Sequence, residues 1–257
     1  MTAHNGFRER LLAREALIGT FCKTPSHIIG EVLGKTELDC VCLDAEHAPF
    51  GRTELDVSVS ALRAASMPSI VRVPHATPES VLNALDCGAT GVMAPHIRTP
   101  DEAARLAHSA QYGQGRGYAG SSRAAGYTTR SMSEHLAKSA RDTTTIAQIE
   151  DLEALEHLDD IAKVEGIDCL FVGRIDLAVA MACAPSEPPV VDAVRAICRA
   201  GLDADRRVGM FVADLDEIPM WLDQGASLFI LKSDHSFLLE GAEALRARFD
   251  TAAKGRS

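Results

Sequence analysis

Apolar residues along this chain fall into short, nearly unbroken runs separated by longer stretches of mixed polarity, and the two alternate from one end to the other. The runs lie at 17–22, 39–44, 69–73, 90–95, 144–150, 168–173, 207–212 and 227–232. Most lack the in–out alternation of a half-exposed strand, as expected of parallel strands covered on both faces. Between them apolar side chains return at helical spacing, as at Leu55, Val59 and Leu62. Thr24-Pro25, Thr77-Pro78 and Thr99-Pro100 each follow a strand and offer a hydroxyl cap with proline in the first helical position. Thr99-Pro-Asp-Glu102 reads as a complete capping box. Gly88-Ala89 and Gly225-Ala226 read as left-handed helix stops leading straight into a strand.

Eight strand–helix repeats without a break in composition predict one (β/α)8 barrel over residues 1–257, a TIM barrel, with peripheral or disordered ends at about 1–12 and 251–257. A doubly wound open sheet is the structural alternative. Residues 111–130 interrupt the rhythm, being too rich in glycine for a helix or a central strand. Gly115-x-Gly117-x-x-Gly120 matches the dinucleotide fingerprint in form, but it follows a helical pattern where that fingerprint must follow a strand. A long loop of this kind reads as a lid or binding loop.

Composition narrows the partners. A formal charge of −10, spread along the chain, argues against nucleic acid or an anionic membrane, which reward clustered Lys and Arg. Seven cysteines include no CxxC pair and lie mostly in apolar runs, which predicts reduced thiols and a cytoplasmic protein. No apolar stretch is long enough for a signal peptide or a membrane span.

Barrel active sites lie where the strands run out. There the sequence places Asp44-Ala-Glu-His47, Arg72, Gln148-Ile-Glu150-Asp151 and Gly173-Arg-Ile-Asp176. Glu150 and Asp176 end neighbouring strands, and two hard carboxylates suit Mg²⁺ or Mn²⁺ with positions left for water and substrate. A 2-oxo acid could fill those positions, with the metal acting as Lewis acid on its keto group. Arg72 would set a fixed positive charge against the same oxygen. Asp44 and His47 would supply a base, the carboxylate orienting the imidazole. The plainer alternative is that Glu150 and Asp176 are helix N-caps. A Schiff-base mechanism has one candidate, Lys232 beside Ser233-Asp234-His235. His75 and His96 fit either the mouth or a loop.

These motifs, with Leu85-Asp-x-Gly88-Ala-x-Gly91-Val-Met-x-Pro95 and the Arg116-Gly117 loop, resemble the HpcH/HpaI aldolase/citrate lyase family over roughly residues 15–240. The resemblance implies a class II pyruvate aldolase that makes or cleaves 4-hydroxy-2-oxo acids through a metal-bound pyruvate enolate, with an aldehyde as second substrate. It implies Mg²⁺, Mn²⁺ or Co²⁺ on Glu150 and Asp176, enolate stabilisation by Arg72, and proton handling by His47 and Asp44 through a metal-bound water. Gln148 and the segment Gly173, Arg174, Ile175 would line the pyruvate pocket. It also implies a homohexamer, a trimer of dimers, with the C-terminal helix packed on or exchanged with a neighbour. The apolar residues Phe237, Leu238, Leu245 and Phe249 are compatible with that or with an ordinary barrel helix. The family's usual Gly-Pro-x-Asp-Leu-Ser is here Gly173-Arg-Ile-Asp-Leu-Ala178. Arg174 fits either an anionic second substrate or a salt bridge to a neighbouring helix. With the loop residues Arg116, Arg123 and Arg130, it also leaves open an acyl-CoA reaction on the same site, citrate-synthase-like or malyl-CoA-lyase-like.

Overall fold

The computed structural model describes residues 6–254. All eight expected strands are present, each within one residue of its predicted ends: β1 (Leu17–Cys22), β2 (Cys40–Asp44), β3 (Ser69–Arg72), β4 (Gly91–Ala94), β5 (Thr144–Ile149), β6 (Cys169–Val172), β7 (Arg207–Phe211) and β8 (Ala226–Ser233). Each pairs in parallel with the next, and β8 pairs with β1, so the sheet closes and the open-sheet alternative is excluded.

Closure gives every strand two buried faces with different destinations. Val41 and Leu43, Val71, Val92 and Ala94, Ala147 and Ile149, and Leu170 and Val172 join the large apolar layer beneath the helices. The alternate residues, including Cys40 and Cys42, Ile70, Met93, Ile146, Cys169 and Phe171, form a separate inner cluster. The apolar runs look continuous because both sets are apolar, yet the period of two persists within them. All seven cysteines are free and six are buried. Burial pushes the Cys42 and Cys198 thiols up to about 12, so they behave as small hydrophobes. No described helix is long and apolar enough to cross a membrane.

Helix termini follow the expected chemistry at four of the five positions named from the sequence. Thr77 accepts a hydrogen bond from the Ser80 N–H, and Thr99 with Glu102 closes the capping box. Gly88 and Gly225 adopt φ of 93° and 90°. Thr24 is different. The next helix starts at His27 with Ser26 in the cap position, and the Thr24 N–H is taken by Asp234 at 3.1 Å.

Two expectations are corrected, and one of two open alternatives is decided. Residues 7–12 are not peripheral, because Phe7–Leu12 is a helix whose Phe7 and Leu11 are buried in the inner cluster and close the foot of the barrel. The 111–130 loop is not a lid on this barrel's mouth. It follows the helix Pro100–Ala110, which has already returned to the foot, and it packs on the helices Arg52–Ala64 and Pro78–Asp86. Arg123 pairs with Asp56 at 2.7 Å, and the Ala124 N–H donates to the Asp86 carbonyl. The C-terminal helix, Asp234–Lys254, is not an ordinary barrel helix, since Asp234 is its only buried residue and Leu238, Leu245 and Phe249 are at least 60% exposed. Residues 1–5 and 255–257 lie outside the described residues.

Leu11→Ala tests the plug. It removes a fully buried side chain from the inner cluster and should cost about 2–5 kcal/mol in denaturant unfolding. A cost below about 0.5 kcal/mol, the range of ordinary surface changes, would return the helix to a peripheral role.

Candidate active site

The inward columns change character at the top. Cys40 and Cys42 are followed by Asp44, Ile70 by Arg72, and Ile146 by Gln148 and Glu150. The β2–β3 register sets Asp44 directly beside Arg72. Asp44 is completely buried, and Arg72 grips both its oxygens, Nε on Oδ1 at 3.0 Å and Nη2 on Oδ2 at 2.8 Å. Lys23, just past the end of β1, adds its ammonium to Oδ2 at 3.0 Å. Burial alone would raise the Asp44 carboxyl, but the Arg72 hydrogen bond and charge outweigh it and hold the group below its ordinary value. The Lys23 backbone is itself pinned, its N–H donating to Asp234 at 2.7 Å.

Asp44 does not orient the His47 imidazole. It accepts the His47 backbone N–H at 3.2 Å, and the ring Nε2 instead lies 3.6 Å from Glu46 on the half-open rim. Glu46 faces Arg72 at 3.3 Å and His96 at 3.6 Å as well. His96 reaches the mouth in a left-handed backbone conformation, φ 55°, and bonds Asp151 through Nδ1 at 2.9 Å. Burial lowers its proton affinity, but the Asp151 hydrogen bond and the charges of Glu150, Asp151 and Glu46 raise it overall. His75 remains in an exposed loop outside this cluster.

Glu150 is buried at the centre. Its Oε1 accepts the His96 N–H at 3.0 Å, and its Oε2 accepts the Gln148 amide. Burial raises its carboxyl above the ordinary value, these bonds oppose that, and the nearby Asp176 adds to it. Glu150, Glu46 and His96 offer ligand atoms that all lie within 4.8 Å of one another. Asp176 stands exposed in the first turn of Arg174–Ala180, without a hydrogen bond or ion pair among the described residues. Neither Glu150 nor Asp176 is a helix N-cap, since Asp151 and Gly173 hold those positions.

Gly173 is required by space and not by dihedral angle, its φ being −86°. A Cβ there would come within 2.5 Å of both the Glu150 Cβ and Oε2, so glycine lets the carboxylate lie against the strand end. Arg174 is nine-tenths buried and forks onto Glu217, in the turn Leu215–Glu217, with its Nη2 at 3.0 Å. Glu217 also accepts the Trp221 indole N–H at 3.4 Å. Of the two readings of Arg174, the salt bridge is the one realised. Ile175 is exposed at the rim. Lys232 is turned outward onto Glu240 at 2.7 Å, so the lysine at the mouth is Lys23.

Comparison with known proteins agrees with this geometry. Residues 17–239 match the family model described as HpcH/HpaI aldolase/citrate lyase. The chain belongs to that family. It is 33% identical to a hydroxypyruvate/pyruvate aldolase of Paraburkholderia phytofirmans, over 93% of this chain and 95% of that protein. It is 32% identical to a 5-keto-4-deoxy-D-glucarate aldolase of Salmonella arizonae, over 95% and 96%. Among solved structures, an HpcH/HpaI family protein from Burkholderia cenocepacia superposes with a TM-score of 0.87 at 32% identity, covering 98% of this chain and all of the other. Aldolases are carbon–carbon lyases, and this member of the HpcH/HpaI family is an enzyme of that kind.

Asp44→Asn should cost about 3 kcal/mol, because it leaves Arg72 and Lys23 without their shared counter-charge. The carboxyl is depressed in the folded state, so its stabilisation is complete above the ordinary carboxylate range and is lost as pH falls through the depressed value. The stability gap between wild type and variant should therefore be constant above about pH 5 and shrink below about pH 4. A gap that ignores pH down to about 3 would show that Asp44 acts by packing alone.

Proposed function

We propose that this HpcH/HpaI enzyme is a divalent-metal-dependent aldolase that makes or cleaves a 4-hydroxy-2-oxo acid through the enolate of pyruvate or a close 2-oxo acid. The observation that carries the reading is the meeting of a buried Glu150, flanked by Glu46 and His96, with the Asp44-anchored guanidinium of Arg72. The donors fit a hard divalent ion. Glu150 is a buried carboxylate whose one ion-pair partner among the described residues is the half-exposed His96, at 3.3 Å, Gly173 keeps room beside it, and the set is two carboxylates and an imidazole. Glu150 and Asp176 are the residues that would hold Mg²⁺, Mn²⁺ or Co²⁺, with Glu46 and His96 alongside. The ion supplies Lewis-acid polarisation of the substrate's oxo group.

The chain supplies the rest. Arg72 presents a positive charge whose position is fixed by a hydrogen bond and an ion-pair contact to Asp44, so little reorganisation is needed as negative charge grows on the oxo oxygen. His47 Nε2, beside Glu46, takes up and returns the proton at the rim. The first amides of Arg174–Ala180, with Gln148 and Ile175 around them, receive the substrate carboxylate. The second substrate is an aldehyde entering from the open side. Of the four residues that would favour an acyl-CoA in its place, Arg174 is engaged by Glu217, Arg116 by Asp86 and Arg123 by Asp56, and Arg130 lies with Arg116 at the foot, away from the mouth.

Exchange of pyruvate methyl protons in D₂O, followed by NMR, tests the half-reaction without needing the aldehyde. Exchange should require an added divalent metal and disappear in Glu150→Gln and Asp176→Asn. Gly173→Ala should weaken metal affinity by at least about tenfold while leaving the fold intact. Full exchange in the presence of chelator would refute the metal; no exchange with any metal would remove pyruvate as the nucleophile.

The same reading extends to assembly as a homohexamer, supported by the bare apolar residues Leu238, Leu245 and Phe249 on the C-terminal helix. Light scattering of the full chain should give six times the monomer mass, and a monomer at micromolar concentration would reject it.

A further inference from the structure

The foot of the barrel, opposite the proposed active site, holds a second cavity of about 560 Å³. Its wall brings together Arg8, Arg63, Arg116, Arg130, Lys138 and Arg141, in a chain whose formal charge is −10. Some of these cations are spoken for. Arg8 forks onto Asp168, and Lys138 and Arg141 share Asp142. Arg116 is almost fully buried, stacks on Tyr112 at 4.3 Å and reaches Asp86 with one nitrogen at 3.4 Å. Arg63 and Arg130 form no ion pair among the described residues, the carboxylate that Arg130 influences being Glu134 on the exposed side. Each donates only to a backbone carbonyl, Arg63 to Gly88 at 3.1 Å and Arg130 to Ala124 at 2.8 Å.

Helix ends explain part of this and not all of it. Helix C-termini gather at the foot of such a barrel, and their carbonyls carry roughly half a negative charge. That is too little to offset two guanidiniums standing beside a third. The mutual repulsion shows in Arg63, whose proton affinity is lowered by burial and then by Arg130 and Arg123. A second, independent sign lies in the same wall. His135 is 3% exposed, and neither its Nδ1 nor the buried Nε of Arg116 has a hydrogen-bond partner among the described residues. In the tautomer that takes the Tyr112 hydroxyl proton on His135 Nε2, at 2.9 Å, the Nδ1 carries an N–H that lacks an acceptor among the described residues. Buried donors without acceptors are uncommon and costly.

We propose that this cavity binds a phosphate-class dianion, free phosphate or a small phosphomonoester, between Arg63, Arg130 and the Arg116–His135 wall. Donors converging from a helix, a loop and a second helix suit a tetrahedral group with several acceptor oxygens better than a planar carboxylate. The cavity exceeds the size of the bare ion and leaves room for the organic part of a monoester. The site is independent of the reaction at the mouth.

Calorimetric titration of the full chain with inorganic phosphate and with glycerol 3-phosphate, using acetate and succinate as controls, tests this. Saturable binding of one phosphate-class anion per chain is expected. Affinity should fall at least tenfold in Arg63→Gln and in Arg130→Gln, while metal-dependent pyruvate exchange is unchanged. The His135 ring resonances of the wild-type protein should move saturably with phosphate, which keeps the test open even if a variant folds poorly. Tighter monoester than phosphate binding would identify a phosphorylated metabolite as the occupant, and equal binding the free ion. The proposal fails if phosphate does not bind, if affinity survives both substitutions, if it is lost only in Arg72→Lys, or if the carboxylate controls bind equally well.

Discussion

A carboxylate excluded from water must meet positive charge or take up a proton, and the mouth of this barrel is organised around how Asp44 meets that demand. It sits at the end of an inward column whose lower members are cysteines, so nothing beneath it can solvate it. Arg72 is delivered by the register of the next strand and Lys23 by the strand before, and both close on it at about hydrogen-bond distance. The consequence is directional. Arg72 has its fork engaged on one side and can move little, so whatever charge it offers the substrate is offered from a fixed place. Asp234, from the far end of the chain, holds the backbone that carries Lys23 and so links the last strand to the first at the same level.

The parts legible in the sequence are those governed by local rules. Strand ends could be read to within a residue because strands buried on both faces are nearly continuous in apolar residues and carry charged or amide side chains chiefly at their ends. Hence the first polar residues after each run mark the rim, and Asp44, Arg72, Gln148 and Glu150 all occupy it. Lys23 and Glu46 escaped notice for different reasons. Lys23 stands beside a Thr-Pro pair that resembles a helix start, and the true start lies two residues later. Glu46 follows Asp44 by the same period of two and was overshadowed by His47, whose ring turns to Glu46 and not to Asp44. His96 depends on a left-handed backbone that composition does not reveal.

The 111–130 loop teaches a different lesson. Glycine content correctly denied it regular structure but says nothing of which end of the barrel it serves. Topology does. Every helix of a (β/α)8 barrel carries the chain from mouth to foot, so a loop that follows the helix Pro100–Ala110 must begin at the foot. The helical pattern before it already contained that answer.

The same directionality divides the molecule's charge. Helix N-termini face the mouth, where unpaired amides favour anions, and there the chain sets Glu46, Glu150, Asp151 and Asp176 in numbers that call for a cation. Helix C-termini face the foot, where arginines satisfy carbonyls, as Arg206 does for Ala162 at 2.8 Å. Dipoles alone would ask for a modest bias at each end. At each end burial, with like charge adding to it, shifts a group away from its ordinary value, raising Glu150 at the mouth and lowering Arg63 at the foot, and a ligand of opposite charge would relieve both. Charge crowded against its own sign is costly, so a fold retains it where something binds.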